Sequence, residues 1–171
     1  MLKSVPWKKG VNNAFEKNMK VMTKMLTSKS RNEFPPLLFI VTNNRIFYYE
    51  IRQRNAEERV STLISHFLTT VNSKILGYQF LSMAYAAQAS SLEKAMTRNI
   101  RSIPSSIEVI VDIRSIPDQD VKGELYRVVR TESNEVADIS PIGSKIVDKK
   151  ECPRLITNFD GDIEMMETNH E

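Results

Sequence analysis

The spacing of apolar residues predicts three helices. In the N-terminal segment the apolar positions recur at intervals of three and four residues, which is the period of an amphipathic helix. They are Val11, Phe15, Met19, Met22 and Leu26. Residues 55–72 carry the same period and predict a longer helix, and residues 90–100 predict a short third helix that ends before Pro104. Each helix has one apolar side, which we expect to pack against a sheet.

Between and after these helices the pattern is that of β-strands. Two apolar and aromatic runs are separated by Asn43-Asn44, which favours a hairpin because asparagine tolerates positive φ. Gly77 inside a further apolar run indicates a bulge or the close approach of another segment. Residues 107–114 alternate between apolar and mostly polar positions, which predicts a strand with one buried face. The predicted strands cover residues 37–42, 45–51, 75–87, 107–114, 123–131, 135–139 and 144–147.

The order of these elements predicts the fold class. It is α-β-β-α-β-α-β-β with a further edge strand, which favours an α+β fold and leaves a mixed α/β fold as the alternative. We expect a single layer of mostly antiparallel sheet, covered on one face by the helices. We divide the chain into a basic N-terminal helix (1–31), an α+β core domain (35–147) and an acidic C-terminal segment (148–171), which we expect to be mobile or weakly docked.

The composition is that of an ordinary globular protein and excludes fibrous and disulfide-stapled classes. The chain has 171 residues, of which 41% are hydrophobic, and Cys152 is its single cysteine. No run approaches the roughly 18 apolar residues that a membrane-spanning helix requires. We therefore expect a soluble, cytoplasmic protein that has no membrane partner.

The net charge of +3 hides a gradient along the chain. Residues 1–60 carry 12 basic and 5 acidic side chains, whereas residues 131–171 carry 4 basic and 10 acidic ones. A basic beginning and an acidic end of one chain can attract each other.

Residues suited to catalysis or metal binding are few. The imidazoles and the thiol are His66, His170 and Cys152. They show no metal-ligand spacing, and the five glycines are too far apart to form a phosphate-binding loop. The sequence predicts no metal site and no cofactor, and it favours a non-enzymatic protein.

Three acidic residues on predicted strands are the candidates for catalysis: Glu50, Glu108 and Asp112. Glu50 and Asp112 each precede an arginine by two positions, and metal-dependent nucleases hold acidic ligands beside a basic residue in this way. The same alternation is equally typical of the wet face of a strand. A metal-dependent hydrolase or nuclease is therefore the second alternative function.

The N-terminal helix and its flank carry the candidates for binding. They are Trp7, Lys9, Lys17, Lys20 and Lys24. Lysines attract phosphates and a tryptophan can stack on bases, so sequence-independent nucleic-acid binding is the first alternative function. The methionines of this helix suit either a core or an adaptable binding surface, so the helix could dock on its own domain or on a second subunit. We expect a small binding or accessory protein that self-associates, with a protein partner or a second copy as its ligand.

Overall fold

The computed structural model describes residues 2–51, 60–86 and 107–147. In these ranges it has two helices, α1 (Val11–Thr27) and α2 (Val60–Val71), and a seven-stranded antiparallel sheet in the spatial order β1-β3-β2-β4-β5-β6-β7. The strands are β1 (Lys3–Pro6), β2 (Leu37–Val41), β3 (Arg45–Glu50), β4 (Gly77–Ala86), β5 (Ile107–Ser115), β6 (Val121–Arg130) and β7 (Val136–Val147). The α+β class predicted from the sequence is confirmed for these residues.

Among the described residues, the sheet carries one helix on each face, because its central strands are apolar on both sides. Every residue of β2 is buried. Leu37, Phe39 and Val41 lie in the core beneath α1, whereas Leu38 and Ile40 lie in the core beneath α2. Successive side chains of a strand point to opposite faces, so the two helices pack on opposite sides of the sheet. The prediction that helices cover only one face is wrong for this reason.

Helix α1 belongs to the same core as the sheet. Its buried residues are Ala14, Phe15, Asn18, Met19, Met22 and Leu26. The apolar ones pack against buried side chains of β2, β4 and β5. Segments 1–31 and 35–147 therefore share one core, and Met19 and Met22 contribute to it.

A short edge strand that the sequence did not predict leads into α1. Strand β1 pairs antiparallel with β3, and Trp7 extends this pairing because its backbone N–H donates to the carbonyl of Asn44 at 2.8 Å. The indole Nε1 of Trp7 donates to the carbonyl of Gly10 at 2.9 Å. Gly10 adopts a φ of 89°, which favours glycine, and the chain turns there into α1. These contacts fix the beginning of α1 beside the edge of the sheet.

Strand β5 is buried on both faces, in contrast to the prediction of one wet face. Asp112 and Ile110 lie beneath α1 and are fully buried. Val109, Val111 and Ile113 are buried on the opposite face. Asp112 is covered because it lies beneath α1, which the alternation along the strand does not reveal.

Gly77 marks a close approach, as the sequence indicated, and not a bulge. A Cβ at this position would lie 2.7 Å from Cγ2 of Val11 and 2.9 Å from Cζ of Phe15, both on α1. Gly77 is the first residue of β4 and pairs with Val41 of β2, and no register shift occurs in the pairing of β4 with β2 or β5. The missing side chain therefore lets the first turn of α1 rest on the sheet.

The remaining predictions of strands and helices are confirmed in part. The β2–β3 hairpin and the strand character of β4, β5 and β6 are confirmed, but neither Asn43 nor Asn44 has positive φ. Strand β7 is continuous where two edge strands were predicted, with bulge-like register shifts against β6. The predicted helix at 90–100 and the acidic segment 148–171 lie outside the described residues.

A candidate binding groove and a buried polar network

A groove of about 380 Å³ lies between α1 and the edge of the sheet formed by β1, β3 and β2. Its size is within the range of about 300–1,000 Å³ that is typical of ligand sites. Its apolar lining comes from Val5, Val21, Met22, Met25, Phe34, Pro35, Leu37, Phe39, Ile46 and Tyr48. The groove exists because β1 and β3 extend the sheet beyond the width that α1 covers.

The two sides of the groove expose apolar side chains to solvent. Lys17, Val21 and Met25 recur every four residues along α1 and therefore form one stripe of the helix. The side chain of Val21 is 53% exposed, and Val5 on β1 is 37% exposed. Isolated exposed valines are common, but these two face the same apolar groove. An apolar ligand in the groove would therefore bury both side chains.

The charges around the groove are mostly positive. In the part of the chain that the structure describes, Lys3, Lys17 and Arg31 line it together with one carboxylate, that of Glu50. Lys17 Nζ lies 4.8 Å from the ring centroid of Trp7, and a cation over an aromatic face is attracted to it. No ion pair involves the four charged side chains of the groove in the part of the chain that the structure describes. Three cations against one carboxylate favour an anionic ligand.

The residues predicted for binding are divided between the groove and the outer surface. Lys17 lines the groove, whereas Lys9, Lys20 and Lys24 are exposed outside it. Trp7 is half-buried, packs against the α1 core and is held by the hydrogen bonds described above. The structure therefore brings Trp7 and Lys17 together but uses the tryptophan ring as support for the lysine.

Beneath α1, a network of polar side chains connects the helix to two strands of the sheet. Asn18 Nδ2 on α1 donates to Gln79 Oε1 on β4 at 3.0 Å. Gln79 Nε2 in turn donates to Asp112 Oδ1 on β5 at 3.0 Å and to the carbonyl of Phe15 at 3.1 Å. Gln79 and Asp112 are fully buried. The network fixes both the rotation and the position of α1 on the sheet.

Arg114 closes the network at its exposed end. Its Nε and one terminal nitrogen donate to Asp112 Oδ2 at 3.0 and 2.8 Å, and its other terminal nitrogen pairs with Glu16 on α1. Burial raises the pKa of Asp112, against the hydrogen bonds and charge of Arg114 and the hydrogen bond from Gln79. Burial lowers the pKa of Arg114, but hydrogen bonds and charges from Asp112 and Glu16 outweigh it, so that this pKa lies above its ordinary value.

The hydrogen bonding of this network is complete. No buried side-chain nitrogen or oxygen lacks a partner within residues 2–51, 60–86 and 107–147. Tyr126 donates to Glu124, whose carboxylate lies 3.7 Å from Arg114. Both carboxylate oxygens of Asp112 accept hydrogen bonds from its own chain, and the network joins α1 to β4 and β5.

The three acidic residues proposed for catalysis are far apart. Glu50 and Asp112 lie in one row across the sheet, three strands apart, which corresponds to about 14 Å at about 4.8 Å per strand. Glu108 lies four residues before Asp112 on β5, about 13 Å away. Its carboxylate accepts two hydrogen bonds from Arg130, at 2.6 and 2.8 Å. No group of three His, Cys, Asp or Glu side chains could hold a metal ion among the described residues.

His66 lies on α2, away from the groove. Its ring is exposed, and its Nδ1 lies 3.1 Å from the hydroxyl of Tyr49 on the facing strand. Burial raises the pKa of Tyr49. The pair links α2 to β3, and Cys152 and His170 lie outside the described residues.

Comparison of the chain with models of known protein families, with curated proteins and with solved structures gave no match. In the described ranges, neither helix is long and apolar enough to cross a membrane. The geometry of the groove and of the network is therefore the basis for any functional inference.

Sequence reasoning missed both features, although each left a signal. Asn18 lies within the apolar stripe of α1, and Gln79 lies within an apolar strand, so both are polar residues at core positions. Such positions indicate a buried hydrogen-bond network. Val21 and Met25 lie beside the stripe that predicted α1, and apolar residues beside such a stripe indicate a second contact surface.

Proposed function

We propose that this is a non-enzymatic binding protein whose groove takes an acidic peptide segment with apolar side chains from a partner protein. The observation that carries the proposal is the groove itself, with an apolar lining and three cations against one carboxylate. Apolar side chains of the ligand would cover exposed Val5 and Val21, and its carboxylates would pair with Lys3, Lys17 and Arg31.

A peptide fits this site because the site lies beside a sheet edge. Strand β1 is the outermost strand on this side of the described sheet and pairs only with β3 there. An extended peptide can add to an open strand edge through backbone hydrogen bonds, while alternate side chains enter the adjoining groove. The affinity would then come from the backbone and the specificity from the groove.

The alternatives have less support. A nuclease needs its acidic ligands in one place, whereas Glu50, Glu108 and Asp112 are separated as described above. Nucleic-acid binding needs accessible aromatic rings beside a row of cations, and Trp7 is half-buried beneath Lys17. Self-association stays a prediction.

A fluorescent peptide tests the proposal. The probe is a ten-residue peptide in which Glu alternates with Ile, and its comparators alternate Glu with Ser or Lys with Ile. We expect anisotropy titrations to show binding of the Glu–Ile peptide and at least tenfold weaker binding of both comparators, because the groove needs apolar and acidic groups together.

Two substitutions on one helix locate the binding. Lys17→Glu reverses a charge that lines the groove, and Lys20→Glu reverses an exposed charge on the same helix outside it. We expect Lys17→Glu to lower the affinity for the Glu–Ile peptide at least fivefold and Lys20→Glu to change this affinity less than twofold. Equal effects of the two variants, or equal binding of the Glu–Ser peptide, would contradict the proposal.

A further inference from the structure

We infer that residues 157–171 of the chain itself occupy this groove and compete with the partner segment. The inference rests on the proposed function of the groove, because it names a second ligand for the same site. It assigns a role to the charge gradient along the chain that the described residues leave unexplained.

The chemistry of the segment is complementary to that of the groove. Residues 157–171 carry five acidic side chains and no lysine or arginine. Residues 159–165 alternate, so that Phe159, Ile163 and Met165 would share one face of an extended chain and three acidic residues would occupy the other. The acidic residues of this alternation are Asp160, Asp162 and Glu164. One apolar face and one acidic face are what the apolar lining and the cations of the groove require.

The register of the sheet places the end of β7 in the same cross-strand row as Phe39, which lines the groove. Ile146 lies opposite Lys122, which lies opposite Arg114, and the same row continues through Gln79 to Phe39 in the lining of the groove. The row crosses four strand intervals, or about 19 Å at about 4.8 Å each.

The connecting chain is long enough to reach the groove. Residues 148–158 can span about 36 Å at about 3.3 Å per residue. A path from β7 to the far side of α1 must cover about 19 Å and pass a helix with a diameter of about 10 Å. Eleven residues in an extended conformation are therefore long enough to bring the acidic residues that follow position 158 to the groove.

Tethering gives the segment an advantage over a free peptide. A tethered ligand whose linker spans the distance between the two sites experiences an effective concentration of up to millimolar order. A groove with micromolar affinity for acidic peptides would then be largely occupied by the chain's own segment. A partner segment must displace it, so the full chain binds partners more weakly than its groove allows.

Zero-length carbodiimide cross-linking of the full chain tests the contact directly, because it joins a carboxylate and an amine only when they touch. We expect cross-links from Asp160, Asp162 or Glu164 to Lys17 or Lys3. In an equimolar mixture of ¹⁴N- and ¹⁵N-labelled chains, both peptides of each cross-linked pair should carry the same isotope, because the cross-link forms within one chain. Cross-links confined to Lys20 and Lys24, cross-links between isotopes, or none at all would each overturn the inference.

A charge-neutralised full chain tests the competition. The variant carries Asp160→Asn, Asp162→Asn and Glu164→Gln, and its matched control carries Asp118→Asn, Asp120→Asn and Glu132→Gln, three exposed residues away from the groove. Both variants change the net charge by the same amount. We expect the first to bind the Glu–Ile peptide about tenfold more tightly than the unmodified chain and the control to differ less than twofold.

The two proposals fail separately. If the Glu–Ile peptide binds the unmodified chain and the neutralised variant equally, the groove binds acidic segments but its own chain does not compete. If the peptide binds neither chain, both proposals are wrong. If the two variants gain affinity equally, net charge and not occupancy of the groove controls binding, and the inference is overturned.

Discussion

Asp112 shows how one buried residue can resemble a catalytic group and yet serve the fold. Its carboxylate is fully buried and accepts hydrogen bonds from Gln79 and Arg114. Removing one partner of a buried ion pair leaves the other without compensation, which is costly in free energy. The acidic and basic alternation that indicated chemistry in the sequence is here an ion pair within one strand.

Asp112→Asn should therefore destabilise the protein. We expect the free energy of unfolding to fall by about 3 kcal/mol, because Arg114 keeps only its more exposed partners Glu16 and Glu124. Urea denaturation followed by circular dichroism measures this change. Glu124→Gln, at a position whose side chain is 30% exposed, is the control and should cost less than about 1 kcal/mol. Equal losses of unfolding free energy in the two variants would show that the buried pair of Asp112 and Arg114 contributes no more than an exposed one.

At the scale of elements, the contact of α1 with the sheet depends on a missing side chain. Gly77 leaves no room for a Cβ beside Val11 and Phe15, whereas a Cβ at Gly143 would meet nothing within 4 Å. The two glycines lie on strands of the same sheet and differ in what covers them. They form a matched pair for testing how tightly α1 packs.

Gly77→Ala should destabilise the protein by about 1–3 kcal/mol, because the added methyl group overpacks the contact with α1. Gly143→Ala should be neutral or stabilise by up to about 1 kcal/mol, since it restricts only the unfolded chain. Thermal unfolding of both variants measures the difference. If Gly77→Ala were as stable as Gly143→Ala, the packing of α1 described here would be wrong.

Helix α2 is equally part of the fold. Phe67 is fully buried and packs edge-on against Phe47, with ring centroids 4.9 Å apart, whereas the adjacent Leu68 is 48% exposed. Phe67→Ala should lower the free energy of unfolding by about 3–5 kcal/mol. Leu68→Ala should lower it by less than about 0.5 kcal/mol. Chemical denaturation measures both stabilities. Equal stabilities of the two variants would contradict the packing of α2 on the second face of the sheet.

The elements with strong periodicity could be predicted from the sequence, and those set by distant contacts could not. The stripe from Val11 to Leu26 and the hairpin around Asn43 follow local rules, and both are confirmed. Strand β1 has four residues, one of them proline, and exists because β3 offers it an edge. The hydrogen bond between Asn18 and Gln79 joins residues 61 positions apart, which no local pattern reports.

The same reason explains why the groove escaped prediction. Lys3, Lys17 and Arg31 come together only when β1 and α1 lie on the same part of the sheet. The lysines on the outer face of α1 were equally attractive in the sequence, because charge along a helix does not show which side faces a groove. Of the lysines that the sequence proposed on α1, Lys17 lines the groove, and the binding role of this helix stays a prediction.

Taken together, the described residues form an α+β domain with a helix on each face of its sheet and an apolar, cationic groove at one edge of that sheet. Three cations of the described part of the chain line the groove. Nucleic-acid binders that contact 6–10 phosphates lose about 10³–10⁵ in affinity between 50 and 200 mM salt. We expect the Glu–Ile peptide to lose less than about tenfold over this range, as measured by anisotropy. A loss of about a thousandfold would favour a polyanion site.

The most direct test of the central claim is to map where an acidic, apolar peptide binds. The ¹⁵N-labelled full chain that carries Asp160→Asn, Asp162→Asn and Glu164→Gln would be titrated with the Glu–Ile peptide, and its amide signals would be followed by NMR. We expect the amide signals of Lys3, Lys17, Val21 and Met25 to shift together and to saturate at one affinity. Shifts confined to the exposed lysines outside the groove, or no shifts at all, would contradict it.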